Sequence, residues 1–287
     1  LEDVVGDIEP VRPLVSVVIP VHNGMPFIKQ ALSSVLSETD VPLEVIVREN
    51  GSDDETLNWL RSISDERVRV VASPELVSAA ENWTASCELA RGEYIKLVCA
   101  DDFICEGGLR RQYEAALEHP DAVLIASPRK VVTETGVTVL RRHGLRGIHG
   151  THPGEWILQK VARSGGNPFG EAASVLFRSD ALKQSLPFSS EFPYVTDLEM
   201  YVRVLHLGRF HGLRSIDAGF RLNNSSWSTE IGGRQLEQYR NWRRSRQLDG
   251  SLPRTRFDGV GAEIRMTLTF LARRVLTRIA AFSRTST

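Results

Sequence analysis

Apolar residues along the first half of the chain fall into two alternating patterns. Val15-Ser-Val-Val-Ile-Pro20 is a short β-branched run stopped by proline, which predicts a buried strand. From Gly24 to Ser37, Phe27, Ile28, Ala31, Leu32, Val35 and Leu36 recur at helical spacing. Further strands are predicted at Leu43–Arg48, Val68–Val71, Tyr94–Cys99 and Ala122–Ala126, with helices at Ser78–Ala90 and Glu106–Glu118. Another helix is expected from Ser52, because Ser52 and Glu55 have the spacing of a capping box. Strands separated by helices of this length imply βαβ crossovers and an α/β fold with a mostly parallel sheet.

The pattern changes after Pro128. Residues 128–154 are rich in Gly, His and Arg, with a hairpin-like stretch at Lys130–Leu140. Helical spacing returns at Trp156–Arg163, Asp180–Gln184 and Asp197–Leu207, then at Gly233–Leu248 and Ala262–Phe282. A Ser/Asn/Gly-rich stretch at Arg221–Gly232 predicts a boundary before this helical extension.

Composition narrows the class. The 287 residues carry 35 Lys+Arg and 36 Asp+Glu, for a net charge of -1, and 41% are hydrophobic. A globally basic nucleic-acid footprint is excluded, and so is global disorder. No apolar run approaches the length of a membrane span, and three cysteines with no CxxC pair point to a soluble protein of a reducing cytoplasm. The neutrality is local only in part. Residues 1–60 hold eleven acids and three bases, whereas residues 234–287 hold twelve arginines and four acids, a local charge of +8. In residues 262–282, Ile264, Leu268, Leu271, Val275, Leu276 and Ile279 share one side and arginines are interleaved. Such a helix suits an anionic membrane surface, the main domain or a second copy of the chain.

In open α/β sheets ligands bind beyond the carboxyl ends of the strands. Those positions here read Pro20-Val-His-Asn-Gly24, Glu49-Asn-Gly-Ser-Asp-Asp54 and Ala100-Asp-Asp102, which brings polar and acidic groups to one sheet edge. Asp101 and Asp102 are adjacent carboxylates at the end of an apolar strand. Such a pair suits a hard cation, Mg2+ or Mn2+, that also takes phosphate oxygens; the alternative is a helix amino terminus that favours acids. A dinucleotide site is disfavoured, because no GxGxxG follows the first strand and Gly165-Gly-Asn-Pro-Phe-Gly170 has the wrong spacing.

Ser16–Gly24, Glu49–Thr56 and Ala90–Lys96 with Ala100–Asp102 together resemble a family 2 glycosyltransferase, over residues 14 to 228. The resemblance implies the GT-A fold, an inverting mechanism and a nucleotide-sugar donor. Under it, residues 1–13 are a tail, 14–127 the nucleotide-sugar half, 128–228 the acceptor half and 229–287 a basic helical extension. Pro20, His22 and Glu49 are then expected on the nucleoside and Asn82 near the donor, with Glu49 where most relatives have Asp. Asp101 is expected on the metal and the donor, with Asp102 beside it as a metal ligand and Cys99 standing where the first acid of the motif often lies. Asp197 in Tyr194-Val-Thr-Asp-Leu-Glu-Met-Tyr201 resembles the family's base, with Thr196 in place of Glu. Read alone, Asp197 is equally a helix cap, and Glu199 is its competitor for the base.

The implied reaction moves a sugar, with UDP the favoured nucleotide, to a hydroxyl of a glycan, lipid-linked or cell-surface polysaccharide acceptor, at the inner face of the cell membrane. The expected partners include no nucleic acid and leave a homodimer open. The competing readings are a nucleotidyltransferase and a non-catalytic binding protein on the same fold. Trp83 is read as core or donor contact, Arg203 as a carboxylate brace, and His149 with His152 as a solvated loop rather than a metal pair.

Overall fold

The structure, a computed structural model, describes residues 15–223, 234–254, 261 and 263–271. β1 (Val15–Val21) is buried along its whole length because helices cover both faces of the sheet. Val15, Val17 and Ile19 meet Ile28, Leu32 and Val35 of α1 (Ile28–Leu36) on one side. Val18 faces the other side, in the cluster that holds Ala80 and Cys87 of α3 (Ala79–Glu88). The period-two alternation of the strand thus divides the core into two layers.

β2 (Leu43–Glu49), β3 (Val68–Ala72) and β4 (Tyr94–Leu97) pair in parallel around β1, in the order β3-β2-β1-β4. α1, α2 (Thr56–Arg61) and α3 are the crossovers. The Arg91-Gly92 turn before β4 is pinned from below: Ser16 Oγ accepts from Gly92 N at 2.8 Å, and Glu44 accepts from Arg91 N at 2.8 Å. The sheet then continues through β10 (Val175–Arg178), β6 (Ala122–Ala126), β11 (Arg209–Gly212) and β9 (Gly150–Pro153). β10 runs antiparallel to both neighbours, so the sheet is mixed though mostly parallel.

A second sheet has the order β5-β12-β7-β8 and touches the acids after β4 through Arg221 of β12. It consists of β5 (Phe103–Ile104), β12 (Ala218–Leu222), β7 (Arg129–Thr133) and β8 (Thr138–His143), the last two forming the expected hairpin. Gly219 of β12 lies against the flat of the Phe103 ring, where a Cβ would overlap the ring atoms. Only glycine permits that approach.

α4 (Gly108–Glu118), α5 (Gly154–Arg163), α6 (Ser179–Ser185) and α7 (Thr196–Leu205) complete the α/β body. α8 (Gln235–Leu248) packs on it through buried Tyr239 and Trp242, and residues 263–271 form a further helix. The amino-terminal tail, most of the expected boundary stretch and residues 272–282 of the expected last helix lie outside the described residues. Among the described residues no helix is long and apolar enough to cross a membrane.

Two local expectations are corrected. α2 begins at Thr56 with no side-chain cap, so Ser52 and Glu55 form no capping box. Ser52 is instead committed to the site loop, accepting from Asn23 N at 2.9 Å. The capping box occurs at Ser78 and Glu81, opening α3. β4 also ends two residues earlier than its apolar run, at Leu97, which leaves Val98 and Cys99 in the turn toward the acids.

Candidate active site

The ends of β1 and β2 are fastened into one platform. Asn50 N donates to Val21 O at 2.9 Å, and His22 Nδ1 lies 3.0 Å from Asn50 O. The Asn50 side chain clamps Val77 both ways, donating to its O at 2.9 Å and accepting from its N at 3.0 Å. Gly24 N donates to Thr56 Oγ1 at 2.9 Å and Met25 N to Asp54 Oδ2 at 3.1 Å. Burial raises the Asp54 carboxyl, but hydrogen bonds from Thr56 and Met25 and the His22 charge outweigh it and hold Asp54 below its ordinary range. Much of the Glu49–Thr56 motif therefore shapes the loop.

Pro20 is buried in β1 opposite Arg48, His22 is exposed at the rim, and Glu49 is buried and accepts from Ser52 N. Asn82 is only 4% exposed and its carbonyl oxygen accepts from Arg48 Nη1, while Arg48 Nη2 donates to Ser73 Oγ at 3.2 Å. Asn82 thus meets the platform through Arg48. Trp83, beside it, packs edge-on to Phe188 at 5.4 Å, as a core residue does. Residues 20–26 contain no Lys or Arg, so the loop after β1 has none of the basic side chains of a nucleotidyltransferase phosphate loop.

Past β4 the chain builds an acidic centre. One donor atom each from Cys99, Asp101 and Asp102 lies within 4.8 Å of the others. Asp102 is buried and accepts from Arg221 N of β12 at 3.0 Å, while Asp101 O accepts from Arg221 Nε at 3.0 Å. The Arg221 guanidinium stacks over Phe27 at 4.8 Å and Phe103 at 5.7 Å. It also donates to Glu134 O at 2.9 Å and to Gln30 Oε1. Burial, then the Asp101 and Glu171 charges, push the Asp102 carboxyl well above its ordinary range. Burial raises Asp101 as well, against the Arg221 charge, and the Cys99 thiol is raised by burial and by Asp102, Asp101, Asp197 and Glu171. A neutral thiol beside two crowded carboxylates makes the hard oxygen pair the better candidate for a cation, a donor set that suits Mg2+ or Mn2+ rather than a thiolate-bound metal.

Asp197 approaches the same centre from α7, and its charge acts on both Cys99 and Tyr201. The helix starts at Thr196, with Val195 at its N-cap, so Asp197 stands in the first turn rather than at the cap. Thr196 Oγ1 donates to Ser189 O and Pro193 O, both at 3.1 Å. Asp197 Oδ2 accepts from Asn167 Nδ2 at 2.9 Å, and Oδ1 from Leu198 N at 2.7 Å. Glu199 points elsewhere: it accepts from Trp242 Nε1 and lies 3.4 Å from Arg246 Nη1, tying α8 to α7. Arg203 donates to Ser185 O at 2.6 Å and sits 3.7 Å from Glu199, a brace as expected.

Three residues at the centre carry no strong signal of their own. Glu171, at the start of the Ala172–Ser174 turn, pairs with buried Arg129 of β7. That contact joins residues 42 apart, and nothing local announces it. Asn167 was available to reading, since Asn-Pro in a glycine-rich loop favours an Asx turn. Its Oδ1 accepts from Phe169 N at 3.0 Å in that form. His149 and His152 do not form a ligand pair. His149 meets Leu213 O at 3.0 Å, and His152 stacks on Trp156 at 4.1 Å.

The profile of glycosyl transferase family 2 matches residues 16–186, which include both strand-end loops, the acidic centre, Asn167 and Glu171. An uncharacterised protein of Mycobacterium tuberculosis is 24% identical over 208 residues, 70% of this chain and 65% of that protein. Staphylococcus aureus TarS in complex with UDP-GlcNAc superposes with a TM-score of 0.59 at 17% identity, over 79% of this chain and 64% of that one. The Pyrobaculum calidifontis mannosyltransferase PcManGT in complex with GDP-Man and Mn2+ superposes with a TM-score of 0.57 at 16% identity, over 96% and 76%. At those identities the likeness to the solved structures is one of fold, and the chain spans about two-thirds of the first relative's length. A profile match over more than half of the sequence, on the residues that build the platform and the acidic centre, places the chain in glycosyl transferase family 2.

Proposed function

We propose that the chain is an inverting glycosyltransferase that moves a sugar from a nucleotide-sugar, with UDP as the favoured nucleotide, to a hydroxyl of a glycan or lipid-linked acceptor. The observation that carries this reading is the convergence of two independent acidic elements on one centre. Asp101 and Asp102 arrive from the end of β4 and Asp197 from the first turn of α7, and all three act on the Cys99 thiol. The solved relatives of this fold with UDP-GlcNAc and with GDP-Man and Mn2+ support the donor class.

In this reading Pro20, His22 and Glu49 line the nucleoside side, and Asn82 supports them through Arg48. Asp101 and Asp102 would hold Mg2+ or Mn2+, whose chemistry there is Lewis-acid neutralisation of the departing diphosphate. Arg221 holds both acids in place through its backbone N–H and its stacked guanidinium. Asn167 orients the Asp197 carboxylate, which takes the proton of the acceptor hydroxyl as its oxygen attacks the anomeric carbon. The bond to the nucleotide oxygen breaks on the opposite face, which inverts the anomeric centre. Residues 128–170 shape the acceptor side.

The test is turnover of UDP-, GDP- and dTDP-sugars with Mn2+ and a candidate acceptor, followed by nucleotide release and by the anomeric proton in NMR. The expected result is an inverted product, with Asp197→Asn lowering turnover by on the order of 10²–10⁴-fold while nucleotide binding persists. A retained anomeric configuration, or full turnover in Asp197→Asn, overturns the reading.

A further inference from the structure

The carboxyl ends of β4, β6 and β11 lie at one edge of the large sheet. β10 runs antiparallel to both β4 and β6, and β11 runs parallel to β6. Asp101 and Asp102 follow β4 at that edge, and a basic cluster stands three strands along it. Leu213, just past β11, donates its N–H to Ala126 O at the end of β6, at 2.8 Å. Arg214 comes next, and its O accepts from Arg142 Nη1 at 2.6 Å, which draws the end of β8 to the same edge. Arg146 lies between β8 and β9, and Gly150 of β9 pairs with Gly212 at the end of β11. Arg141, Arg142, Arg146 and Arg214 are all exposed. Residues 135–154 contain no Asp or Glu, although the chain as a whole has a net charge of -1. Asp217, three residues after Arg214, is committed to Arg111 at 2.7 Å and to Ser215 Oγ at 2.8 Å.

We propose that Arg141, Arg142, Arg146 and Arg214 bind the acceptor, and that the acceptor is a glycan bearing carboxylate or phosphate groups. A guanidinium offers a planar fork of donors that matches either anion. Gathered on one edge, the four cations repel one another until an anionic chain joins them. The donor's own phosphates are not the occupant. β11 is three strands from β4, about 14 Å at the spacing of a sheet, beyond a diphosphate held by Asp101 and Asp102. The cluster is joined instead to the loop that orients Asp197. Leu145 N, beside Arg146, donates to Pro168 O at 2.9 Å, and the preceding Asn167 holds the Asp197 carboxylate. An acceptor with its terminal hydroxyl at Asp197 can therefore lay its next anionic residues across Arg146, Arg142 and Arg214. This assignment rests on the transferase reading and narrows its acceptor.

The test is fluorescence anisotropy of end-labelled oligosaccharides with the full chain, in the absence of nucleotide. The probes are an oligogalacturonate, a glycerol phosphate oligomer and neutral maltoheptaose. The expected result is binding of one or both anionic oligomers, weakened by salt, and no binding of maltoheptaose. The tighter of the two anionic probes identifies the group. R142Q/R214Q weakens that binding about 25-fold, fivefold per arginine, the equivalent of about 1 kcal/mol each. Arg209→Gln, at the opposite end of β11, leaves it unchanged. Equal binding of maltoheptaose, no binding by the folded wild type, or binding that survives R142Q/R214Q overturns the proposal. So does tighter binding of a thymidine oligonucleotide of the same charge that R142Q/R214Q removes, which would mark a nucleic-acid surface. Nucleotide titration with Mn2+ tests the transferase reading separately, so a chain that binds nucleotide but neither anionic oligomer loses this proposal alone.

Discussion

Replacing Asn167 with alanine isolates the orientation of Asp197 from its presence. The Asn167 side chain makes four hydrogen bonds: Nδ2 to Asp197 Oδ2 at 2.9 Å and to Gly170 O at 2.8 Å, and Oδ1 from Phe169 N at 3.0 Å and Gly170 N at 3.2 Å. A hydrogen bond to a charged group contributes about 1.5–3 kcal/mol. If that energy is spent on holding the carboxylate, turnover falls about 10- to 100-fold, at about 1.4 kcal/mol per decade. Two backbone N–H groups also lose their acceptor, so the variant is destabilised by about 2 kcal/mol, with water replacing part of what is lost. Nucleotide affinity stays at its wild-type value, because Asn167 makes none of the platform contacts. The assay is nucleotide release at saturating donor, paired with calorimetric nucleotide binding and a urea denaturation curve. Full turnover in a folded Asn167→Ala would refute the assignment of Asn167 as the residue that positions the base.

Glu199→Ala leaves Trp242 Nε1 without its acceptor and Arg246 without its nearest buried carboxylate. Arg246 keeps Glu191 and Asp249, so the main loss is the acceptor of Trp242 Nε1; the substitution should cost about 1–3 kcal/mol in urea unfolding and shift tryptophan fluorescence as α8 loosens. Gly219→Ala drives a methyl into the Phe103 ring; a loss of about 1–3 kcal/mol is expected, with weaker Mn2+ binding as Asp102 is displaced. Lys96 is buried on β4 and donates to Gln112 Oε1 at 2.6 Å; burial pushes its ammonium down to about 7 from 10.5. Between those values the unfolded chain binds the proton that the folded chain has released, so stability rises with pH across that window. In Lys96→Met that rise is absent from the urea midpoint measured from neutral to alkaline pH, and persistence of the rise would show that another group causes it.

Strands and helices of the first half were readable because β-branched runs and helical spacing are local signals. Val15–Pro20 and Leu43–Arg48 became β1 and β2 almost to the residue. The strand-end loops were equally plain, and Asp101 and Asp102 lie together as their spacing implied. What escaped was made by tertiary contact. The Ser52–Glu55 spacing lost to a competing demand, since Ser52 serves Asn23 across the site. Arg221 reaches the acids only because β12 enters a second sheet beside β5, a pairing that joins residues more than a hundred positions apart. The Glu171–Arg129 pair has the same origin. Antiparallel β10 was also hidden, because a short buried strand carries no mark of its direction.

The most direct test of the account is calorimetric titration of UDP, GDP and dTDP, with and without Mn2+, into the wild type and Asp101→Ala. The account predicts that one nucleotide binds in a metal-dependent way and that Asp101→Ala abolishes the metal dependence. Folded protein that binds none of the three, or binding that ignores both Mn2+ and the loss of Asp101, would contradict it.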